Sequence, residues 1–131
     1  MVDATRAIAD TSVFIGMEER RFDPSRFEDY EWGVSVITLG ELRLGVINAR
    51  DPESAARRLS TYQLAQRFEP LEVDELVAET WALLVSRLRA AGRKAPINDS
   101  WIAATALTYD VPVVTQDGDY DDMPGLRVVK F

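Results

Sequence analysis

The stretch Pro96-Ile97-Asn98-Asp99-Ser100-Trp101-Ile102-Ala103-Ala104-Thr105-Ala106 decides how the rest of the chain can be arranged. Asn98 and Asp99 stand directly before a run of helix-forming residues. Such side chains are preferred at helix starts because they accept hydrogen bonds from the free N–H groups of the first turn. The small alanines that follow allow the predicted helix to lie close to a sheet. We therefore expect Asp99 to be held at the mouth of an α/β sheet.

Two other acids follow predicted strands. The β-branched run Val111-Pro112-Val113-Val114-Thr115 predicts a buried strand just before Asp117. Near the N-terminus, residues 6–10 predict a short buried strand that ends in Asp10. Each acid also has a purely structural interpretation, since Asp10 could cap the next helix and Asp117 could lie in a solvated turn.

Glu41 is the fourth acid of interest. It follows a predicted strand at Gly33-Val34-Ser35-Val36, and Thr38-Leu39-Gly40-Glu41 matches a capping box at a helix start. The sequence alone leaves two roles open for Glu41. It could be the capping glutamate, or it could lie on the first turn of the helix and face the ends of the strands.

The remaining chain continues the alternation of strands and helices. Asp51-Pro52-Glu53 predicts a helix start, Pro70 indicates an edge strand or a strand end, and Gly92 is placed to end a long helix that opens at Asp74. A last short strand is predicted at residues 126–129. Alternation of this kind predicts a parallel sheet with helices on both faces.

Composition limits the chemistry that is available. The chain has 131 residues, 47% of them hydrophobic, which fits one domain with a real core. It has no Cys and no His. This excludes Ser-His-Asp and Cys-His catalysis and the usual zinc sites. Carboxylates and other hard oxygen donors remain, and these suit Mg²⁺ or Mn²⁺.

Charge and hydropathy indicate where the protein acts and what it binds. The net charge of −7 argues against nucleic-acid binding unless several acids hold metal ions. Arg87, Arg89, Arg93 and Lys94 form a basic group, for which a helix-dipole role is favoured over RNA contact. Met1–Arg6 lacks the long apolar segment of a signal peptide, and no apolar run approaches the ~20 residues of a membrane helix. We expect a cytoplasmic protein without a membrane partner.

The four acids are expected at one edge of the sheet. Sites in parallel α/β sheets lie beyond the carboxyl ends of the strands, where Asp10, Glu41, Asp99 and Asp117 can all project. Two carboxylates 4 Å apart repel by about 4 kcal/mol at an effective dielectric constant of ~20, and a divalent cation would remove that cost. Such a cation activates water and neutralises charge on a phosphate, as phosphodiester hydrolysis requires.

Four segments together carry a family resemblance over essentially the whole chain. They are Ala9-Asp10-Thr11-Ser12, Thr38-Leu39-Gly40-Glu41-Leu42-Arg43-Leu44-Gly45, Ile97–Ala106 and Val113-Val114-Thr115-Gln116-Asp117. In this order and at these separations the chain resembles a PIN-domain ribonuclease of the VapC toxin type. The resemblance implies a single PIN-like domain over residues 1–131. The expected fold is a three-layer α/β/α sandwich around a mainly parallel sheet of four to five strands.

The resemblance also implies roles for individual residues. Asp10 and Asp99 would be the principal Mg²⁺ or Mn²⁺ ligands, and Asp117 would complete the cluster, with Asp119 as a rival for that position. Glu41 would hold a water molecule or a second ion. Three neighbours would support the acids, namely Asn98, Thr115 and Thr11.

The implied function is metal-dependent endoribonuclease activity in a toxin–antitoxin pair. RNA would be the substrate, a small antitoxin would cover the acidic edge, and the chain would form a homodimer. Two alternatives remain open. One is a non-catalytic module that binds RNA or protein, and the other is a phospho-aspartate receiver or phosphatase domain. Against the latter, Asp10 is not followed by a second acid two residues on.

Overall fold

A fully parallel five-stranded sheet forms the centre of the molecule. The structure is a computed structural model that describes residues 5–131. The strand order is β3-β2-β1-β4-β5, and every neighbouring pair is parallel. The strands are β1 (Thr5–Ala9), β2 (Tyr30–Ser35), β3 (Glu69–Leu71), β4 (Val113–Thr115) and β5 (Val128–Lys130). The predicted parallel sheet is therefore confirmed, and β3 with Pro70 is the edge strand that the sequence indicated.

Five helices cover the two faces of this sheet. They are α1 (Thr11–Glu18), α2 (Val36–Ile47), α3 (Pro52–Ala65), α4 (Glu75–Ala90) and α5 (Ile97–Tyr109). Two short 3₁₀ turns lie at Pro24–Phe27 and Gly118–Tyr120. One core joins α1, α2 and α3 to the sheet, and the other joins α4 and α5 to it. The three-layer sandwich is confirmed.

The alternation of side chains along β1 creates these two cores. Ala7 and Ala9 point into the first core, and Ile8 between them points into the second. On α5, the alanines that were predicted to allow close packing are completely buried, as Ala103 shows. Small side chains thus let α5 pack closely within the second core and place its first turn next to the strand ends.

Most helix boundaries agree with the sequence signals. Asp51 and Asp74 cap α3 and α4 through their carboxylates, and Gly92 follows α4 with a φ of 71° that favours glycine. In the part of the chain that the structure describes, no helix combines the length and the apolar character needed to cross a bilayer. Of the N-terminal stretch Met1–Arg6, residues 1–4 lie outside the described part.

The predicted start of α2 is wrong. The helix begins at Val36, and Ser35 caps it by accepting from the N–H of Ile37 at 3.1 Å. The capping box at Thr38–Glu41 therefore does not form, and Glu41 lies in the second turn rather than the first. A serine at the end of β2 caps the helix directly, so no separate loop is needed.

Candidate active site

The acids meet where the chain changes direction across the sheet. From β1 the chain builds outward through β2 and β3, and it then returns to place β4 on the other side of β1. The carboxyl ends of β1 and β4 are therefore neighbours, and α/β folds bind ligands at such switch points. Asp10 follows β1 directly, and its N–H donates to the carbonyl of Val114 at 3.1 Å.

Asp10 lies at the bottom of the site, and only 3% of its surface is exposed. Its Oδ2 accepts from the hydroxyls of Ser12 and Thr115, both at 2.8 Å, and from the Ser12 N–H at 3.3 Å. Its Oδ1 accepts from the Tyr120 hydroxyl at 2.9 Å. Hydrogen bonds from four donor groups offset the desolvation of this carboxylate and fix its orientation.

Tyr120 links Asp10 to Asp99. Its hydroxyl lies 2.9 Å from Asp10 Oδ1 and 3.2 Å from Asp99 Oδ1, and its side chain is completely buried. Burial and then the charges of Asp10 and Asp99 raise the pKa of Tyr120 far above its usual value, so the hydroxyl stays protonated. A single hydroxyl hydrogen thus serves two carboxylates, which holds them close together.

Three carboxylates form the open mouth of the site. One oxygen from each of Asp99, Asp117 and Asp119 lies within 4.8 Å of the other two. Burial is the largest cause that raises the pKa of Asp99 to about 7, followed by the charges of Asp117 and Asp10 and by a hydrogen bond with Asp119. The hydrogen bond from Tyr120 opposes that shift. We call Asp10, Asp99, Asp117 and Asp119 the acid cluster.

The turn that carries Asp117 and Asp119 is fixed to the end of β4. The Asp117 N–H donates to the Thr115 hydroxyl at 2.9 Å, and the Asp119 N–H donates to Asp117 Oδ1 at 2.8 Å. Thr115 therefore contacts both Asp10 and the turn, as its predicted supporting position requires. Asp119 lies beside Asp117, and both are close enough to Asp99 to complete the cluster.

Among residues 5–131, the side chains of Glu41 and Asn98 make no hydrogen bond to the acid cluster. Thr11 donates to Glu41 Oε1 at 2.7 Å, so Thr11 contacts Glu41 rather than the aspartates. Glu41 borders a groove of about 340 Å³ that is also lined by residues of α1 and α3. Asn98 is exposed on the first turn of α5, and among residues 5–131 its side chain makes no hydrogen bond to an acid. The support predicted for Asn98 is therefore not seen.

Sequence reasoning missed Ser12 and Tyr120, although both contact Asp10. Ser12 stands two residues after Asp10, where a hydroxyl can return to the capping carboxylate. Tyr120 was the aromatic residue inside a run of acids that was interpreted as a possible solvated turn. An aromatic side chain at the centre of an acidic turn was a signal that this turn packs against the core.

The donor set fits a hard divalent cation. Three carboxylates at the mouth and a fourth beneath them offer only oxygen ligands, which Mg²⁺ and Mn²⁺ prefer. Without a cation, burial and then the charges of Asp117 and Asp10 raise the pKa of Asp99, and a cation would oppose that shift. The fold and this site together define a parallel α/β domain with an acidic, metal-compatible centre at its switch point.

Comparison with known proteins places this domain in a family. The family model described as PIN domain matches residues 7–126, and the chain belongs to this family. It is 67% identical over 128 residues to "Ribonuclease VapC4" of Mycobacterium tuberculosis, which covers 98% of each chain. It is 40% identical to "Ribonuclease VapC5" of the same organism, over 95% of this chain and 92% of that one.

Solved structures agree with this placement. A crystal structure of VapBC-5, described as a member of the VapBC family of toxin-antitoxin systems from Mycobacterium tuberculosis, superposes with a TM-score of 0.84. It is 38% identical and covers 97% of this chain and 98% of that one. DNA-bound VapBC from Salmonella typhimurium shares the fold, with a TM-score of 0.83 at 23% identity over 96% and 98% of the two chains.

Proposed function

We propose that this protein is a Mg²⁺- or Mn²⁺-dependent endoribonuclease that hydrolyses phosphodiester bonds and acts as the toxin of a toxin–antitoxin pair. The convergence of Asp99 with Asp117 and Asp119 within 4.8 Å carries the proposal, because the first turn of α5 and the turn after β4 bring these acids together in a chain without His or Cys. The ribonuclease relatives support the substrate class. The proposal covers one domain over residues 1–131 that acts in the cytoplasm, where RNA is abundant.

The acid cluster would hold the cation. Asp99 and Asp117 supply oxygens at the mouth, Asp119 adds a third, and Asp10 supplies a charge from below. When bound, Mg²⁺ or Mn²⁺ lowers the pKa of water and neutralises negative charge on a phosphate. The hydrogen bonds from Ser12 and Thr115 keep Asp10 oriented, and Tyr120 keeps Asp99 turned towards it.

Glu41 has a separate role in this proposal. Its carboxylate is oriented by Thr11, whose own position directly follows Asp10 at the start of α1. From there Glu41 can hold a water molecule beside the acid cluster, without itself being a member of it. Replacement of Glu41 should therefore reduce cleavage while it leaves binding of the first Mn²⁺ ion intact.

The proposed partners are RNA, a small antitoxin protein and a second copy of this chain. The VapBC-5 toxin-antitoxin structure, which is 38% identical to this chain, supports an antitoxin as a partner. The antitoxin would cover the acidic edge and could place an arginine against the acid cluster. Expression of the chain should arrest growth, and co-expression of a small protein encoded beside it should relieve the arrest. Growth that is unaffected by the intact chain would contradict the toxin assignment.

RNA cleavage by the purified chain tests the nuclease assignment. Cleavage should require Mg²⁺ or Mn²⁺, stop on addition of EDTA, and be lost in Asp10→Asn. The matched control is Asp29→Asn, which removes an exposed acid outside the cluster and should cleave like the intact chain. Metal-independent cleavage, or full activity in Asp10→Asn, would refute the assignment. Tight Mn²⁺ binding without cleavage of any RNA would favour a non-catalytic module.

A further inference from the structure

An open cleft lies beside the acid cluster and is not used by the chemistry described above. Its volume is about 710 Å³, and it runs between the C-terminal part of α4, the loop before α5 and the turn at Gly118 and Asp119. Asp119 belongs both to this cleft and to the three-carboxylate mouth. The cleft therefore leads directly into the acid cluster.

One wall of the cleft is basic and unpaired. Arg89 and Lys94 line it, both are exposed, and within residues 5–131 neither forms an ion pair or a side-chain hydrogen bond. Arg127, in contrast, pairs with Asp110 at 3.3 Å. In a chain of net charge −7, these two cations face open solvent next to several carboxylates.

The cleft is also held open in a fixed shape. Arg93 donates to the backbone carbonyls of Asp121 and Asp122 at 2.9 and 2.8 Å, which ties the loop before α5 to the acidic turn. On the far side of that turn, Lys130 donates to the Asp117 carbonyl and forms an ion pair with Asp121 at 2.9 Å. Arg93 and Lys130 thus stabilise the turn, while Arg89 and Lys94 stay available for a ligand.

An apolar side chain completes the cleft. Ile97 lines it and is 76% exposed, more than any other large hydrophobic side chain of the described residues. A helix-dipole role would explain cations near the end of α4, but it does not explain an exposed isoleucine beside them. Cations suit the phosphates of a single-stranded nucleic acid, and an apolar side chain suits its bases. Both features lie here beside a metal-compatible centre.

We propose that this basic cleft binds the sugar–phosphate backbone of single-stranded RNA on one side of the bond to be cut. The inference rests on the proposed nuclease function and adds to it the path of the substrate. Arg89 and Lys94 contact phosphates, and Ile97 packs against a base or a sugar. The two cations offset the repulsion between the RNA and the acid cluster, so binding there positions the next phosphate at the carboxylates.

The test compares RNA binding and cleavage in matched variants. Binding of a labelled, mixed-sequence single-stranded RNA is followed by fluorescence anisotropy with Ca²⁺ as the divalent cation, over a series of salt concentrations. The double variant is Arg89→Gln with Lys94→Gln. The control is Arg6→Gln with Arg67→Gln, since these exposed arginines lie near the amino ends of β1 and β3, at the opposite edge of the sheet.

We expect the double variant to bind RNA roughly 10-fold more weakly than the intact chain. The slope of log affinity against log salt concentration should become shallower by about 1.4, as the loss of two phosphate contacts implies. KM for RNA should rise with kcat little changed, while Mn²⁺ affinity by calorimetry should stay that of the intact chain. The control should match the intact chain. The single variant Arg89→Lys keeps the positive charge at this position and leaves Lys94 unchanged. Its affinity for RNA should therefore be much higher than that of the double variant.

Several outcomes would overturn the proposal. An unchanged Kd and salt slope in the double variant would refute RNA binding by the cleft. In that case, RNA cleavage by the intact chain would still support the nuclease assignment. Absence of RNA binding by the intact chain would also refute it. If poly-glutamate displaces RNA at equal charge concentration, the cleft binds an acidic protein segment instead. RNA binding that depends on Arg89 and Lys94 in a chain that never cleaves would support the cleft and refute only the nuclease.

Discussion

The acid cluster and an aromatic corner of the same sheet are stabilised in opposite ways. The aromatic corner comprises Phe22, Phe27, Tyr30, Trp32 and Phe131. Phe22 and Phe27 stack with ring centroids 5.0 Å apart, and both are almost completely buried. Burial of these rings is favourable by itself. The acid cluster instead gathers like charges that repel, and it depends on hydrogen bonds or a cation.

This difference separates the part that holds the fold from the part that we propose performs the chemistry. Substitution in the aromatic corner should reduce stability and leave the chemistry of the folded molecules intact. Substitution in the acid cluster should abolish the chemistry with little loss of stability, and it can even relieve repulsion.

Asp99→Asn should reduce RNA cleavage by roughly 10³-fold or more, because loss of a carboxylate proposed to bind the metal would remove several kcal/mol of transition-state stabilisation. The stability of the metal-free chain should be unchanged or slightly higher, since a repelled charge is gone. Initial rates of RNA cleavage and a urea titration measure the two effects. Asp122→Asn is the control, because Asp122 lies in the same acidic turn at a φ of 63° that asparagine tolerates. Retained cleavage in Asp99→Asn would break the contrast.

Phe27→Ala should lower the free energy of unfolding by about 3–5 kcal/mol, because it removes a buried ring that contacts Phe22, Tyr30 and Trp32. Activity per folded molecule should be preserved. Urea denaturation gives the stability, and Mn²⁺-dependent cleavage at low temperature gives the activity. Phe27→Leu, which keeps most of the apolar volume, should cost much less. A folded but inactive Phe27→Ala chain would show that the two regions are coupled.

The metal-free chain should lose stability as the pH rises from about 4 to 7. The pKa of Asp99 is raised from 3.8 to about 7, so the folded state binds this proton more tightly than the unfolded state does. Its contribution is therefore complete below pH 4 and lost as the pH passes 7. Because Asp99 is only half-buried, we expect on the order of 1–2 kcal/mol. The difference in urea stability between the intact chain and Asp99→Asn across this range isolates the effect, and a difference that does not vary with pH would contradict it.

Tyr120→Phe should have the smallest effect, a stability loss of about 1 kcal/mol in the metal-free chain. The variant leaves Asp10 Oδ1 without its donor and removes the hydrogen bond that lowers the pKa of Asp99, so that pKa should rise further. Urea titration and NMR titration of the Asp99 carboxyl carbon measure the two changes. Tyr109→Phe, at an exposed tyrosine, is the control. A pKa of Asp99 that falls in Tyr120→Phe would contradict the described link.

Local signals in the sequence were sufficient to predict the succession of strands and helices along the chain, but not every contact between them. The alternation of strands and helices predicted the parallel sheet, and Asp51, Asp74 and Gly92 marked helix ends correctly because capping is a local property. The start of α2 was misplaced because Ser35, at the end of a strand, and Thr38 offer the same capping chemistry. Only the tertiary position of β2 decides between them.

The site was predictable by residue type and not by hydrogen-bond partner. Sheet topology brings Asp10, Asp99 and Asp117 to one edge, and this follows from parallel strands. The link through Tyr120 spans 110 residues to Asp10, and no local pattern encodes such a distance. The family resemblance implied that Asn98 would support the acids, but successive helical residues point in different directions, and Asn98 is exposed. The predicted homodimer stays a prediction.

Anomalous scattering from a crystal grown with Mn²⁺ tests the central claim most directly. We expect one strong manganese peak in contact with carboxylate oxygens of Asp99 and Asp117, next to Asp10 and Asp119. The same peak should be absent in crystals of Asp99→Asn. A manganese peak elsewhere on the molecule, with the acid cluster binding no ion at saturating Mn²⁺, would contradict the account.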